Sequence, residues 1–238
     1  MTSFELNASL YDLLVDWDKR LKNELPFFRD LLGDGGGKDI LDLACGSGRH
    51  VLELAKLGHK VTGIDADPAM IELAQAISSE SPKLANQIEF AVNSFEDLKN
   101  DSSAVSGPFN CIICIGNSLS LLSAQDTLGQ VVTAFSNRLT ASGMLITHII
   151  NYEPRKDLSH WAGSLLKRSD SSGRIFYFLK FFDRIDKSAL KMTIAALYQD
   201  KTKQWRSMLS ESDLQIFHLA GFMKALEAAG FASWEFYG

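Results

Sequence analysis

The chain has 238 residues, 46% of them hydrophobic, with 24 Lys plus Arg against 29 Asp plus Glu and a formal net charge of −5. That length can bury a substantial core in one large domain or one domain with an insertion, and the acidic balance lacks the basic excess from which a nucleic-acid surface draws its affinity. No apolar run approaches the ~20 residues of a membrane span, residues 1–7 show no basic region followed by an apolar core, and three cysteines suit a reducing compartment; the expected setting is cytoplasmic, with neither membrane nor nucleic acid as partner.

From the N-terminus, Leu10, Leu13, Leu14, Trp17, Leu21 and Leu25 recur at helical spacing, a pattern expected to break at Pro26. Gly33-Asp34-Gly35-Gly36-Gly37 makes a loop into an apolar strand at 40–44. A turn with Gly46 and Gly48, a helix, and a second strand at 60–64 ending in Asp65 follow. That is one βαβ nucleotide-binding half. Asp67 is placed to cap a helix at 68–78, with Pro68 at its first position. Strands at 87–92 and 109–115, helical character over 121–139, a turn at Ala141-Ser142-Gly143 and a fifth strand at 144–150 continue the alternation. Such alternation predicts an α/β fold, a doubly wound Rossmann-like and mostly parallel sheet, with ligands at the carboxyl ends of its strands. Cys111 and Cys114 lie in the fourth strand, where residues three apart face opposite ways, so buried core thiols are expected rather than a redox pair or metal clip.

Residues 151–210 break the pattern. Two β-rich runs, 174–183 and 189–198, flank Asp186-Lys187-Ser188 as an antiparallel hairpin, which Phe176, Phe178 and Phe181 make apolar. This stretch reads as an antiparallel β insertion after strand 5 that lids the pocket. A helix at 212–229, closed by Gly230, and a strand at 231–237 are expected to complete the core. The boundaries are then 1–37 for an N-terminal helical preamble, 38–150 for the nucleotide-binding core, 151–210 for the lid, and 211–238 for the returning helix and strand.

Each part of the opening unit has a physical task. Glycines let the backbone turn sharply and approach a ligand, and the helix start offers unpaired N–H groups. Asp65 can accept both hydrogen bonds of a ribose diol. A dinucleotide fold needs a third small residue in Gly-x-Gly-x-x-Gly/Ala so that the helix packs close beneath a pyrophosphate, but that position holds Val51. No Gly-Lys-Ser/Thr follows, as a P-loop would require. What remains is a ribose-bearing ligand without a diphosphate. Here the sequence resembles the class I S-adenosylmethionine-dependent methyltransferases, whose motif matches Asp42-Leu43-Ala44-Cys45-Gly46-Ser47-Gly48, with the ribose acid at Asp65.

The resemblance implies a core sheet in the order 3-2-1-4-5 plus a C-terminal strand, and S-adenosylmethionine as cofactor, leaving as S-adenosylhomocysteine, with no metal. It places the cofactor against Asp42, Ala44, Cys45, Gly46, Gly48, Asp65, Ala66 and Met70. Asn93, Ser94 and Phe95 would meet the adenine, and Ile115 and Gly116 close the list at the end of the fourth strand. The preamble resembles the family's cap helices, which puts Tyr11, Trp17 and Arg20 at the methionyl end.

Gly116-Asn117-Ser118, with Asn151-Tyr152 after the fifth strand, is similar to the glycine N-methyltransferase branch, and implies that Asn117, Asn151 and Tyr152 line the substrate pocket. The Asn/Asp-Pro-Pro-Tyr/Phe run that holds a planar amide or base amine is absent. In that branch an Arg just before Asn-Tyr clamps the carboxylate of glycine, a bidentate contact no apolar residue makes; here the position is Ile150. Arg155, Arg168 and Arg174 are the alternatives, with Arg174 taken as a substrate residue. The expected acceptor is a small amine, hydroxyl or thiol other than glycine, on a monomer or homodimer. Transfer from a sulfonium is an in-line displacement that asks mainly for alignment, so Asn117 and His148 carry the expected catalytic roles, with His160 second to His148 as base. His50, His59 and His218 read as structural, and no His, Cys or carboxylate spacing fits a metal. Two competing functions are a cofactor-binding sensor or partner subunit without catalysis, and an NAD oxidoreductase.

Overall fold

The computed structural model describes residues 7–100, 105, 107–122 and 127–237. Two compact units emerge, Leu21–Ile150 with Phe217–Gly238, and Met1–Arg20 with Asn151–Ile216. The boundaries therefore fall at Arg20 and Ile216, where the sequence reading set them at 37 and 210.

Helix α1 (Ala8–Leu14) begins at Asn7, whose side chain accepts the Leu10 N–H. Helix α2 (Trp17–Leu32) runs through Pro26 instead of breaking there. A proline deletes one intrahelical hydrogen bond, but the turn beyond it buries Phe28 and Leu32, and that packing holds the helix together.

The parallel unit follows with β1 (Asp39–Leu43), α3 (Arg49–Lys56), β2 (Lys60–Asp65), α4 (Pro68–Ser79), β3 (Ile88–Val92), α5 (Phe95–Lys99), β4 (Phe109–Cys114), α6 (Leu128–Ser136) and β5 (Leu139–Thr147). All four pairings are parallel, in the order β3-β2-β1-β4-β5. Asp67 caps α4 as its sequence predicts, accepting the Ala69 N–H at 2.8 Å. Ala141-Ser142-Gly143 lies inside β5 rather than before it, because the register with β4 slips between Phe109 and Cys111 and the irregularity absorbs the extra residues.

Alternation sorts the sheet's two faces. Leu41, Leu43, Ile112 and Cys114 pack with Leu98 of α5 and Val131, Val132 and Phe135 of α6. Ile40, Cys111 and Ile113 pack with Phe28 of α2, Val51 and Leu54 of α3 and Ile71 of α4. Cys111 and Cys114 are thus free, fully buried and on opposite faces.

The antiparallel unit contains β6 (His160–Ala162), β7 (Leu166–Ser169), β8 (Ile175–Arg184), β9 (Ala189–Gln199) and β10 (Trp205–Gln215). Its order is β10-β9-β8-β6, with β7 also paired to β8. One face of β8 and β9 buries Phe176, Phe178, Ile194 and Ala196 against Leu10, Leu13 and Leu14 of α1. Strand β10 occupies 212–215, where the sequence suggested helix. Ser212 pairs with Met192 and Leu214 with Leu190, and Leu214 is buried while Asp213 is exposed, a strand period rather than a helical one.

Helix α7 (Leu219–Ala228) then returns to the parallel unit and packs Phe222, Ala225 and Leu226 there. Residues 231–237 form no strand, contrary to the sequence expectation. Phe231 and Trp234 pack against the α6 side of the core, the Tyr237 ring meets Phe27 edge-on at 5.1 Å, and Phe236 is exposed. Among the described residues no helix is long and apolar enough to cross a membrane.

Candidate functional site

The carboxyl ends of β1 to β4 gather most of the predicted residues. After β1 the chain turns through Ala44 (φ 55°), Gly46 (φ 55°) and Gly48 (φ 71°). Gly48 is fixed twice over, because a Cβ there would stand 2.8 Å from Phe90 Cζ and 2.9 Å from Ala74 Cβ, in a backbone conformation that side chains disfavour. Val51, at the third dinucleotide position, is fully buried in α3, and its Cγ2 lies 2.9 Å from where a Cβ on Gly63 would stand. Close helix-to-sheet packing is reached through the glycine on the strand instead.

Asp65 ends β2 facing this turn. Its Oδ2 accepts the Gly46 N–H at 2.8 Å, and its Oδ1 accepts the Asp67 N–H at 3.0 Å. Burial raises this carboxyl above the usual aspartate range, and the backbone donors of Asp67 and Gly46 oppose the shift. Each oxygen keeps further acceptor capacity, so two more donors, such as a vicinal diol, can be met. Neighbouring Cys45 is buried, and burial first, then the charges of Asp42 and Asp65, push its thiol upward, which keeps it protonated and inert. Asp42 itself is 1% exposed at the end of β1. Ala66 is exposed and Met70 half-buried where α4 begins.

One strand further, Asn93 is buried, its N–H donates to Asp65 O at 2.9 Å, and its Oδ1 has no hydrogen-bond partner among the described residues. A buried orphan acceptor is costly and fits an incoming amino group. The Ser94 side chain is engaged as the cap of α5 in a reciprocal box with Asp97, its hydroxyl 2.7 Å from Asp97 Oδ2. Phe95 packs its ring near Phe135, with centroids 5.9 Å apart. Of the three adenine candidates, only Asn93 presents an uncommitted side-chain acceptor.

Beyond β4, Ile115 is buried, and Gly116 (φ 79°) and Asn117 (φ 71°) are consecutive left-handed residues. Asn117 Oδ1 accepts the Ile150 N–H at 2.8 Å and the Ser120 hydroxyl at 3.0 Å, and its own N–H donates to His148 O at 3.1 Å. This side chain ties the end of β4 to the segment after β5, a role its sequence context did not reveal. His148 is exposed there.

The remaining predicted residues belong to the antiparallel unit. Tyr11 is exposed on α1, Trp17 donates its indole N–H to Asp12 at 2.6 Å, and Arg20 lies 5.3 Å over the Trp17 ring. Asn151 makes a local turn with the Glu153 N–H at 2.9 Å. Tyr152 is 5% exposed, in a cluster with Leu190, Leu214, Trp161 and Phe182, which makes its ring a core element. Arg174 is paired with Asp170 at 3.1 Å and lies over Phe176 and Tyr198, so its guanidinium is engaged inside its own hairpin. His160 sits exposed beside Ser159. Of the histidines read as structural, His50 bonds Glu24 at 2.6 Å, and His59 is fully buried and held below its usual value by that burial.

Residues 40–143 match a family described as a methyltransferase domain. A glycine/sarcosine/dimethylglycine N-methyltransferase of Actinopolyspora halophila is 30% identical over 168 residues, 71% of this chain and 27% of that one. Among solved structures, DesVI of Streptomyces venezuelae has a TM-score of 0.74 over 95% of this chain and 91% of its own at 20% identity. The sugar N-methyltransferase KedS8 from Streptoalloteichus sp ATCC 53650 has a TM-score of 0.71 over 97% and 87% at 22% identity. At such identities these structures speak for the fold alone. The chain spans between 27% and 52% of the length of the glycine/sarcosine N-methyltransferases it matches. Motif, strand order and domain match agree: residues 40–143 match a methyltransferase domain, and they lie on the fold that DesVI and KedS8 share.

Proposed function

We propose that this chain transfers a methyl group from S-adenosylmethionine to a small-molecule acceptor. The observation that carries the reading is the pair Asp65 and Asn93, adjacent at the ends of β2 and β3. The first is a carboxylate pinned by two backbone donors with capacity for two more, and the second a buried acceptor awaiting one. A ribose diol and an adenine amino group satisfy the two together. The turn at Gly46 and Gly48 leaves room for backbone approach without the cradle a diphosphate needs. When bound, the cofactor supplies a methyl group on a positive sulfur, an electrophile that needs no acid catalysis.

The protein's part is alignment and, for a protonated acceptor, removal of a proton. Exposed His148 is the histidine proposed to take that proton, and Asn117 positions the segment that bears it. The relative from Actinopolyspora halophila is named as an N-methyltransferase, so an amine is the first acceptor to assay. Glycine is disfavoured because Ile150 stands where a carboxylate clamp would be needed.

Calorimetric titration with S-adenosylmethionine, followed by S-adenosylhomocysteine release over a panel of amines, phenols, thiols and glycine, tests this. Asp65→Ala should weaken cofactor binding by about 1–3 kcal/mol, since the diol loses its acceptor; unchanged affinity overturns the assignment. Binding without turnover on any acceptor would make the chain a sensor rather than an enzyme.

A further inference from the structure

The two edges of the antiparallel sheet are built differently. At one, the outermost strands are β6 and β7, three and four residues long, which leave little backbone open. At the other, β10 runs eleven residues against β9 in unbroken register, and among the described residues no strand pairs with its far side. Native edges of this length are usually guarded by proline, lysine or a bulge. Strand β10 has none of these, and its one cation, Arg206, is tied to Asp200 and Gln204.

The ladder shows which backbone groups are open. The Asp200 N–H donates to Gln204 O at one end of the hairpin, and the Ile216 N–H to Ser188 O at the other. Even-numbered residues of β10 therefore bond to β9, because such pairs alternate. The odd-numbered Trp205, Ser207, Leu209, Glu211 and Asp213 turn their N–H and C=O groups to the open edge, and all five side chains are exposed. Part of this rim is apolar. Trp205 is 60% exposed beside Tyr177, with ring centroids 6.1 Å apart, and Leu209 is 43% exposed.

We propose that this edge pairs antiparallel with β10 of a second copy of this chain, about a two-fold axis at Leu209. The open row is self-complementary about that point, as a contact between identical copies requires. Leu209 meets the partner's Leu209, Ser207 the partner's Glu211, and Trp205 the partner's Asp213. Each carboxylate then faces a hydroxyl or indole N–H able to donate to it, and no acid faces an acid. Lys191, 3.7 Å from Glu211, offsets its charge further. Other registers fit less well: centring on Glu211 sets that carboxylate against itself, centring on Ser210 sets Leu209 against Glu211, and centring on Met208 carries Asp213 past the end of the paired strand. The pairing satisfies the open backbone groups and continues one sheet through both copies. It is independent of the methyl-transfer reading.

The test is sedimentation of the full chain over a range of micromolar concentrations, for the wild type, Leu209→Lys and Ser207→Pro. Wild type should sediment as a dimer. Leu209→Lys sets like charges together on the axis, and Ser207→Pro deletes an outward N–H while sparing the bonds to β9. Each should weaken dimerisation tenfold or more and keep the far-ultraviolet circular dichroism of the wild type. Crosslinking gives an arm that does not depend on those variants. A hydrogen-bonded antiparallel pair stands about 5.5 Å apart at Cα, within disulfide reach, so Leu209→Cys should form a covalent dimer on mild oxidation. Ser207→Cys, set four residues away from its own copy, should not. A wild type that stays monomeric overturns the proposal, as does equal crosslinking of the two cysteine variants. A dimer lost in Leu209→Lys but kept in Ser207→Pro would place the contact on the face of the sheet and overturn the edge pairing.

Discussion

Aspartates are used in opposite ways in the two units. In the antiparallel unit, Asp170, Asp186 and Asp200 each open a hairpin turn and accept from the Ser or Thr two residues on, Ser172, Ser188 and Thr202. Asp186 is exposed and Asp170 and Asp200 are half-buried; the bonds from these turns lower all three, Asp170 to about 2, with Arg174 and Arg206 adding to the effect on Asp170 and Asp200. In the parallel unit, Asp65 is desolvated and raised. An Asp-x-Ser/Thr turn settles a fold by satisfying its own backbone. A raised aspartate at a strand end leaves acceptor capacity that the fold alone does not use, and that is the mark of a ligand site.

The sharpest way to break this contrast is at the glycines around Asp65. Gly48→Val adds a clashing Cβ and left-handed strain together, and should cost about 2–6 kcal/mol in urea unfolding, from overpacking and backbone terms of about 1–3 kcal/mol each. Gly46→Ala, with open space around its Cβ position, carries the strain alone and should cost about 1–2 kcal/mol. Equal losses at the two positions would show that the approach of Phe90 does not matter.

Next in size is Asn117→Ala. It orphans the Ile150 N–H and should lower stability by about 1–3 kcal/mol. Cofactor affinity, measured by calorimetry, should change less than in Asp65→Ala. A larger loss of affinity than of stability would move Asn117 from the scaffold into the binding surface.

These residues differ in how visible they were. Gly46, Gly48 and Asp65 announce themselves because a tight turn, a helix start and a strand end are local, and a short spacing specifies all three. Asn117 looked like a pocket residue because its partner, Ile150, is 33 positions away, and nothing local encodes that bond. Leu214 and its neighbours read as helix until the pairing of β10 with β9 decided their period. Residues 231–237 have strand composition but no ladder; Phe231 and Trp234 pack on the core instead, while Phe236 and Tyr237 are exposed.

A pH series probes the hairpin aspartates directly. Their folded values lie below the unfolded aspartate value of about 3.9, so the stability they confer is complete above that pH. It is lost as pH falls toward about 2, the Asp170 value. Asp65 works against them, because its raised value makes folding more favourable as it protonates. The melting temperature should therefore fall on acidification below pH about 4. Replacing all three hairpin aspartates with Asn should flatten that fall, and an unaltered profile would show that the turns do not depend on carboxylate charge.

The smallest expected effect is at Ala44, the non-glycine residue that opens the cofactor turn at φ 55°. A left-handed alanine costs about 1–2 kcal/mol, and a glycine returns about 0.5–1 kcal/mol of that through its greater freedom in the unfolded chain. Ala44→Gly should thus raise stability by no more than about 1 kcal/mol, a shift of a few degrees in a thermal melt. Cofactor affinity should hold, because the backbone donors are unmoved. If Ala44→Gly stabilises and weakens cofactor binding at the same time, the strain at Ala44 belongs to the site and holds Cys45 and Gly46 in register with Asp65. If it stabilises and leaves binding alone, the left-handed alanine is only the residue that turn geometry tolerates next best to glycine.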